Sequence, residues 1–102
     1  MSETDFVAYV GIADIHDGTV LRVSAEGKTA EVVIEGYSGR EHSILFDGVD
    51  QVEMSEPEGM LLYSLSEMRA EPPLRKFVFT NNNEDDEKSL SVVALDFRIR
   101  SN

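Results

Sequence analysis

The chain has 102 residues, of which 41% are hydrophobic, and a formal net charge of −11 at pH 7. This length predicts one domain, residues 1–102, because a chain of this size buries roughly two thirds of its unfolded surface around a single core. There is no cysteine, which excludes disulfides and thiolate zinc sites. No run approaches the roughly 20 apolar residues of a membrane span, and residues 1–5 lack the basic start of a signal peptide, so we expect a cytoplasmic protein.

The N-terminal segment is ambiguous between a helix and a strand. Ser2 stands ahead of an apolar run from Phe6 to Val10, and this spacing is typical of an N-cap followed by a short helix with one apolar face. The alternative is an edge strand through Phe6–Ile12. The pattern favours the helix.

The next two segments predict a β-hairpin. Thr19–Ser24 and Thr29–Gly36 alternate apolar and polar side chains, and Gly27 between them is able to take the positive φ of a tight turn. The residues predicted to point inward are Leu21, Val23, Ala30, Val32 and Ile34.

Two further turns extend this pattern. Residues 36–39 lead into a third strand, His42–Asp47, with Ile44 and Phe46 as its core residues. The dipeptide at Asp47 and Gly48 predicts a turn before a strand over residues 49–54. Three successive hairpins predict an antiparallel meander.

The second half of the chain contains one ambiguous segment and one clear strand. Ser55–Met68 has a helical spacing of apolar residues, but we favour a strand over residues 60–65 that pairs with Leu74–Thr80. Leu90–Ile99 is apolar and β-branched without Gly or Pro, which predicts a single buried strand in the interior of a sheet. The whole pattern predicts a mainly β domain, a meander of about six or seven strands forming a sandwich or half-open barrel with a short N-terminal helix.

The negative charge is concentrated in the first part of the chain. Residues 1–58 contain 13 acidic and 3 basic residues, whereas residues 59–102 contain 7 and 6. Five carboxylates lie between positions 47 and 58, a stretch without Lys or Arg: Asp47, Asp50, Glu53, Glu56 and Glu58. On an exposed strand and turn, they predict a docking surface for a basic protein, with solubility alone as the simpler interpretation.

A second candidate site is the cluster of Asp14, His16 and Asp17. A His-Asp pair in a pocket is typical of small hydrolytic or ligand-binding domains, while the structural interpretation is a turn at Asp17 with His16 packed near the first strand. The chain has only two histidines, and no serine lies in a Gly-x-Ser-x-Gly motif. The loop Asn81–Lys88 resembles an EF-hand, but Asp86 stands where that loop needs glycine. We therefore expect no catalytic residue, no metal and no cofactor.

Binding to nucleic acid or to an anionic membrane is not expected. Of the six cations in residues 59–102, five are candidates for a modest basic patch: Arg69, Arg75, Lys76, Arg98 and Arg100. The nearby phenylalanines Phe77, Phe79 and Phe97 fall on core positions of strands, so they are not free to stack on bases. The net charge also repels phosphate. Self-association through an edge strand or through residues 60–68 remains open, and with it a homo-oligomer.

Two short motifs resemble a known group of proteins. Asp14–Leu21 (DIHDGTVL) and Ile44–Val49 (ILFDGV) are similar to small bacterial β domains of the toxin-immunity type and related uncharacterised families. The resemblance covers roughly half of the chain and implies a noncatalytic protein that binds another protein. Immunity proteins against basic nuclease toxins are often acidic, which agrees with the charge of residues 1–58. It carries over no binding residue, because the shared positions have structural roles: Asp17 and Gly18 in a turn, Leu21 and Phe46 in the core.

Overall fold

The fold consists almost entirely of β-strands. We analysed a computed structural model that describes residues 5–82 and 87–101, and these ranges contain nine strands and one short 3₁₀ helix. The strands are β1 (Phe6–Tyr9), β2 (Thr19–Glu26), β3 (Thr29–Glu35), β4 (Glu41–Asp47), β5 (Gln51–Ser55), β6 (Leu62–Met68), β7 (Arg75–Asn81), β8 (Ser89–Ala94) and β9 (Asp96–Ser101). The 3₁₀ helix spans Ala13–Ile15. The predicted cap at Ser2 and residues 83–86 of the predicted loop lie outside the described residues.

The strands form two antiparallel sheets, which confirms the predicted mainly β class. The five-stranded sheet has the order β1-β6-β7-β8-β5, and the four-stranded sheet has the order β2-β3-β4-β9. Consecutive hairpins join β2, β3 and β4 in one sheet and β6, β7 and β8 in the other, but the predicted third hairpin, between β4 and the strand after Gly48, is wrong because these two strands lie in different sheets. The chain leaves the meander twice, because β5 pairs with β8 and β9 pairs with β4.

The N-terminal segment is a strand rather than the favoured helix. β1 pairs antiparallel with β6 at the edge of the five-stranded sheet, with an irregularity between Phe6 and Ala8. The edge-strand alternative was therefore the correct one. The short 3₁₀ helix lies after β1, where it buries Ile15.

The β2–β3 hairpin follows the prediction with one shift. Gly27 has φ +60° in the turn, as expected. A bulge between Val20 and Arg22 changes the alternation, so Val20 is fully buried and Leu21 is only partly buried. A bulge inserts one residue into one strand, and the alternation of inward side chains shifts with it.

The apolar stretch Leu90–Ile99 is two strands, not one. It breaks at Leu95, whose N–H donates to Asp47 O at 3.0 Å and to Gly48 O at 3.2 Å. Before the break, β8 lies inside the five-stranded sheet, while after it β9 forms an edge of the four-stranded sheet. Both halves have strand-forming residues, so composition does not reveal where the chain changes sheet.

The two sheets pack their inner faces together around one hydrophobic core. Phe46 of the four-stranded sheet meets Phe77 of the other sheet with ring centroids 5.3 Å apart, and each such buried side chain contributes about 1.5–3 kcal/mol to folding. At one end of this core, the guanidinium of Arg75 lies 5.2 Å from the Phe77 ring centroid and forms two hydrogen bonds with Glu67. Within the described ranges, no helix has the length and apolarity needed to cross a membrane.

Candidate functional site

Four of the five acidic residues predicted as a docking surface lie along one free edge of the five-stranded sheet, and the fifth, Asp47, ends β4 of the other sheet. β5 pairs only with β8, so one side of its backbone takes part in no sheet ladder within the described residues. We call β5 and its flanking carboxylates the acidic edge: Asp47, Asp50, Glu53, Glu56 and Glu58. Four of these residues are exposed and Asp47 is partly buried.

Main-chain hydrogen bonds hold both ends of the acidic edge in place. Before β5, Val49 N–H donates to Lys28 O at 2.9 Å, and Asp50 N–H donates to Val93 O at 2.8 Å. After β5, the ammonium of Lys88 donates to the main-chain oxygens of Glu56 and Glu58, each at 3.0 Å. The carboxylates are therefore presented on a fixed backbone, although their side chains project into solvent.

The carboxylates of the acidic edge differ in their pairing. Asp47 forms an ion pair with Arg98 at 2.9 Å on the outer face of the four-stranded sheet. None of the other four, from Asp50 to Glu58, forms an ion pair with a residue of the described ranges. Four uncompensated negative charges within nine residues therefore produce a local negative field at this edge.

The residues of the second predicted cluster line one surface depression, but their polar groups have separate roles. Asp14, His16 and Asp17 line a shallow, open depression of about 440 Å³, next to Tyr37. The Asp14 carboxylate is used elsewhere, because it accepts hydrogen bonds from Ser38 and from the ring of His42. Its neighbour His16 has a buried Nε2 atom that finds no hydrogen-bond partner among the described residues.

A buried polar network at His42 was missed by sequence reasoning. His42 is 1% exposed, and its Nε2 lies 2.7 Å from Asp14 Oδ2 while its Nδ1 lies 2.7 Å from Ser101 Oγ. The signal was present in the sequence, because His42 shares the inward alternation of Ile44 and Phe46 in β4. A polar side chain at a core position requires hydrogen-bond partners.

The network connects four parts of the chain that are far apart in sequence. Asp14 belongs to the 3₁₀ helix, Ser38 to the β3–β4 turn, His42 to β4 and Ser101 to β9. The hydrogen bond with His42, followed by those from Ser38, lowers the pKa of Asp14 from 3.8 to about 2. Asp14, His42 and Ser101 are joined in the order of a nucleophilic triad, but Ser38 also holds both oxygens of the Asp14 carboxylate, and the imidazole is inside the sandwich. We interpret the network as a brace between the sheet and the 3₁₀ helix.

No metal centre is evident in the part of the chain that the structure describes. Residues 5–82 and 87–101 contain no group of three or more His, Asp or Glu side chains placed to hold a metal ion. The carboxylates of the acidic edge are spread along a strand and two turns.

The five cations considered as a basic patch do not come together. Arg75 closes the core with Glu67, and Asp96 accepts a further hydrogen bond from it at 2.9 Å. Arg98 and Arg100 lie on β9, near Asp47 and Glu31 of the four-stranded sheet. Arg69 and Lys76 line a depression on the outer face of the five-stranded sheet. Phe77 and Phe79 are buried, and Phe97 packs against the core.

Comparisons with known proteins add no family or relative to these observations. The chain matches no protein-family model, no curated protein and no solved structure.

Proposed function

We propose that this protein is a noncatalytic binding domain that docks a basic protein through the acidic edge. The observation that carries the proposal is the set of four carboxylates, Asp50, Glu53, Glu56 and Glu58, that form no ion pair within the described ranges. They lie on a backbone that is hydrogen-bonded at both ends. A fixed row of negative charges is complementary to a row of Lys or Arg side chains on another protein.

Protection of a free sheet edge explains only part of this charge. A single charged side chain on an edge strand, such as Glu53 in the middle of β5, is enough to discourage unwanted strand pairing. Asp50 precedes the strand, and Glu56 and Glu58 follow it. Since one charge is enough for that protection, the carboxylates outside the ladder exceed what it requires, and they lengthen the negative surface available to a partner.

The negative charge also raises the rate at which a basic partner associates. Charges interact over about 10 Å at 0.1 M ionic strength, so a basic protein is attracted before contact and associates faster than a neutral one. An acidic cytoplasmic domain that neutralises a basic nuclease toxin is the specific form of this function that the resemblance to bacterial toxin-immunity domains implies.

The test is affinity capture from native cell lysate with three forms of the protein. The first is the wild type, the second carries Asp50→Lys, Glu53→Lys and Glu56→Lys, and the third is a matched control. The control carries Glu35→Lys, Glu41→Lys and Glu71→Lys, which changes the formal charge by the same amount. Glu35 and Glu41 pair at the end of the β3–β4 ladder that is opposite Asp47.

We expect the wild type and the control to retain one basic protein at low salt and to release it at about 0.5 M NaCl, where exposed charges are screened. The substitutions in the acidic edge should reduce retention at least about tenfold, because Lys then faces Lys or Arg. The proposal fails if no basic protein is retained, or if the control loses retention as completely as the acidic-edge variant does.

A further inference from the structure

The opposite edge of the five-stranded sheet has different chemistry. β1 pairs only with β6, and its four residues, Phe6 to Tyr9, carry no charge. Three of them are large apolar or aromatic side chains with much of their surface in solvent: Phe6 is 42% exposed, Val7 51% and Tyr9 61%. We call β1 the uncharged edge.

The uncharged edge is fixed to the sheet at both ends. Arg69 N–H donates to Asp5 O at 2.6 Å, and Val10 N–H donates to Leu65 O at 2.9 Å. The rings of Phe6 and Tyr9 contact each other edge to face, with centroids 5.0 Å apart. The exposed aromatic surface is therefore ordered before any partner binds, which lowers the entropy cost of association.

We propose that the uncharged edge pairs antiparallel with the same edge of a second copy of this chain. A free edge presents backbone N–H and C=O groups that another strand can satisfy, and a twofold axis through such an edge gives antiparallel pairing. The irregularity between Phe6 and Ala8 puts Phe6 and Tyr9 on the same face. A pairing centred between Val7 and Ala8 therefore sets Phe6 of one copy opposite Tyr9 of the other. Aromatic cross-strand pairs of this kind stabilise a ladder, and the two five-stranded sheets become one continuous sheet.

Charge repulsion between two copies is small at the uncharged edge and large at the acidic edge. The uncharged edge is therefore the one at which a second copy can pair. Among the described residues, Asp5 is the charged residue adjacent to β1 in the chain, and antiparallel pairing puts the two Asp5 residues at opposite ends of the new ladder. Five residues of strand separate them by about 17 Å, which exceeds the screening length of about 10 Å at 0.1 M salt. At the acidic edge, a twofold axis through the centre of β5 would place Glu53 opposite Glu53 and Asp50 near Glu56, so like charges would meet.

More apolar surface lies beside the uncharged edge. Ile12 follows β1, and Tyr63 lies in β6, the strand that pairs with β1; they are 38% and 54% exposed. Even so, a ladder of four residues buries a small area, so we expect a dissociation constant of about 10 µM to 1 mM. The net charge of −11 on each copy opposes association, and added salt should therefore strengthen the dimer.

The experiment is sedimentation equilibrium of the full chain from about 10 µM to about 1 mM, in low salt and in about 0.5 M NaCl. The test variant carries Val7→Lys and Tyr9→Lys, since lysine on an edge strand opposes strand pairing. The matched control carries Tyr37→Lys and Met54→Lys, which add the same charge at two other exposed positions, 81% and 53% exposed. Because Met54 lies in β5, the control also reports on the acidic edge.

We expect the wild type and the control to approach twice the monomer mass of 11.4 kDa as concentration rises, with more dimer at high salt. The β1 variant should remain monomeric throughout, and its far-ultraviolet circular dichroism should match that of the wild type. A wild type that stays monomeric at 1 mM in high salt overturns the proposal and leaves the edge to an extended segment of a different protein. Equal dissociation of the test and control variants also overturns it, because the interface would then lie elsewhere.

Discussion

The two free edges of the five-stranded sheet differ in charge. β5 carries Glu53 and is flanked by further carboxylates, whereas β1 presents Phe6, Val7 and Tyr9 without a charge. Both edges leave one side of the backbone outside any ladder of the described strands. The difference shows that the charge of this protein is not spread evenly for solubility, because one exposed edge is strongly acidic and the other is apolar.

This difference gives each edge a distinct response to salt. Association of the acidic edge with a basic protein is attractive and is weakened by screening, whereas association of two uncharged edges is opposed by the net charge and is strengthened by screening. A single protein should therefore show two associations that change in opposite directions with ionic strength.

Making the acidic edge resemble the uncharged edge should have the largest effect. The substitutions Asp50→Asn, Glu53→Val and Glu56→Gln remove the charges that oppose strand pairing at β5. Each copy then has two edges that accept a strand, so sedimentation should detect species larger than a dimer. Adding Val7→Lys and Tyr9→Lys should limit the assembly to dimers formed through β5. If the first variant never exceeds a dimer, charge is not what keeps β5 unpaired.

The support of the acidic edge can be broken at Gly48. This residue has φ +64°, and a Cβ atom there would lie 2.5 Å from Leu95 Cδ1 and 2.9 Å from Leu95 Cβ. Gly48→Ala should lower the free energy of unfolding by about 2–3 kcal/mol, from positive φ together with overpacking. Urea denaturation measures it. Leu95→Ala removes the overlap with Cδ1 but keeps the Cβ contact, so in that background Gly48→Ala should lower the free energy of unfolding by a smaller amount, about 1–2 kcal/mol. A strictly additive double variant would contradict the contact.

The hydrogen-bond network of Asp14 and His42 predicts that the stability of the protein depends on pH below about 4. Because the pKa of Asp14 is lowered from 3.8 to about 2 in the folded protein, its ionised form contributes stability that is fully present above about pH 4. That contribution is lost as pH falls toward 2. The difference in unfolding free energy between the wild type and Asp14→Asn should therefore be largest at neutral pH and shrink between pH 4 and 2. Asp50→Asn, at a carboxylate without a partner in the described ranges, is the control, and its difference should change much less with pH.

The smallest effect is expected at Lys88. Its ammonium donates to the main-chain oxygens of Glu56 and Glu58, which are exposed residues that water can also solvate. Lys88→Met should destabilise the protein by about 1 kcal/mol in urea denaturation. Lys28→Met, at an exposed lysine of the β2–β3 turn, changes the net charge equally. An equal loss in both variants would mean that charge, not the contact, causes the effect.

The sequence predicted the elements whose signals are local. The hairpin around Gly27, the core residues Ile44 and Phe46, and the pairing of β6 with β7 all follow from alternation and turn residues within short segments. The five carboxylates are also close in sequence, and four of them lie exposed along β5 and its ends.

The features that the sequence did not predict depend on contacts between distant residues. The break at Leu95 depends on hydrogen bonds to Asp47 and Gly48, while both halves of the stretch have equal strand propensity. The choice of strand over helix at β1 depends on its pairing with β6, since four residues favour neither strongly. The network joins His42 to Asp14, which is 28 positions away in the sequence, and to Ser101, which is 59 positions away. The one local signal in the sequence was a histidine at an inward position.

The most direct test of the proposed function is a binding titration of the captured basic protein between about 50 and 500 mM NaCl. We expect affinity for the wild type to fall steeply with salt, to be nearly absent when Asp50, Glu53 and Glu56 are replaced by lysine, and to be largely retained when Glu35, Glu41 and Glu71 are replaced. An affinity that does not change with salt, or an equal loss in the two variants, would contradict docking through the acidic edge.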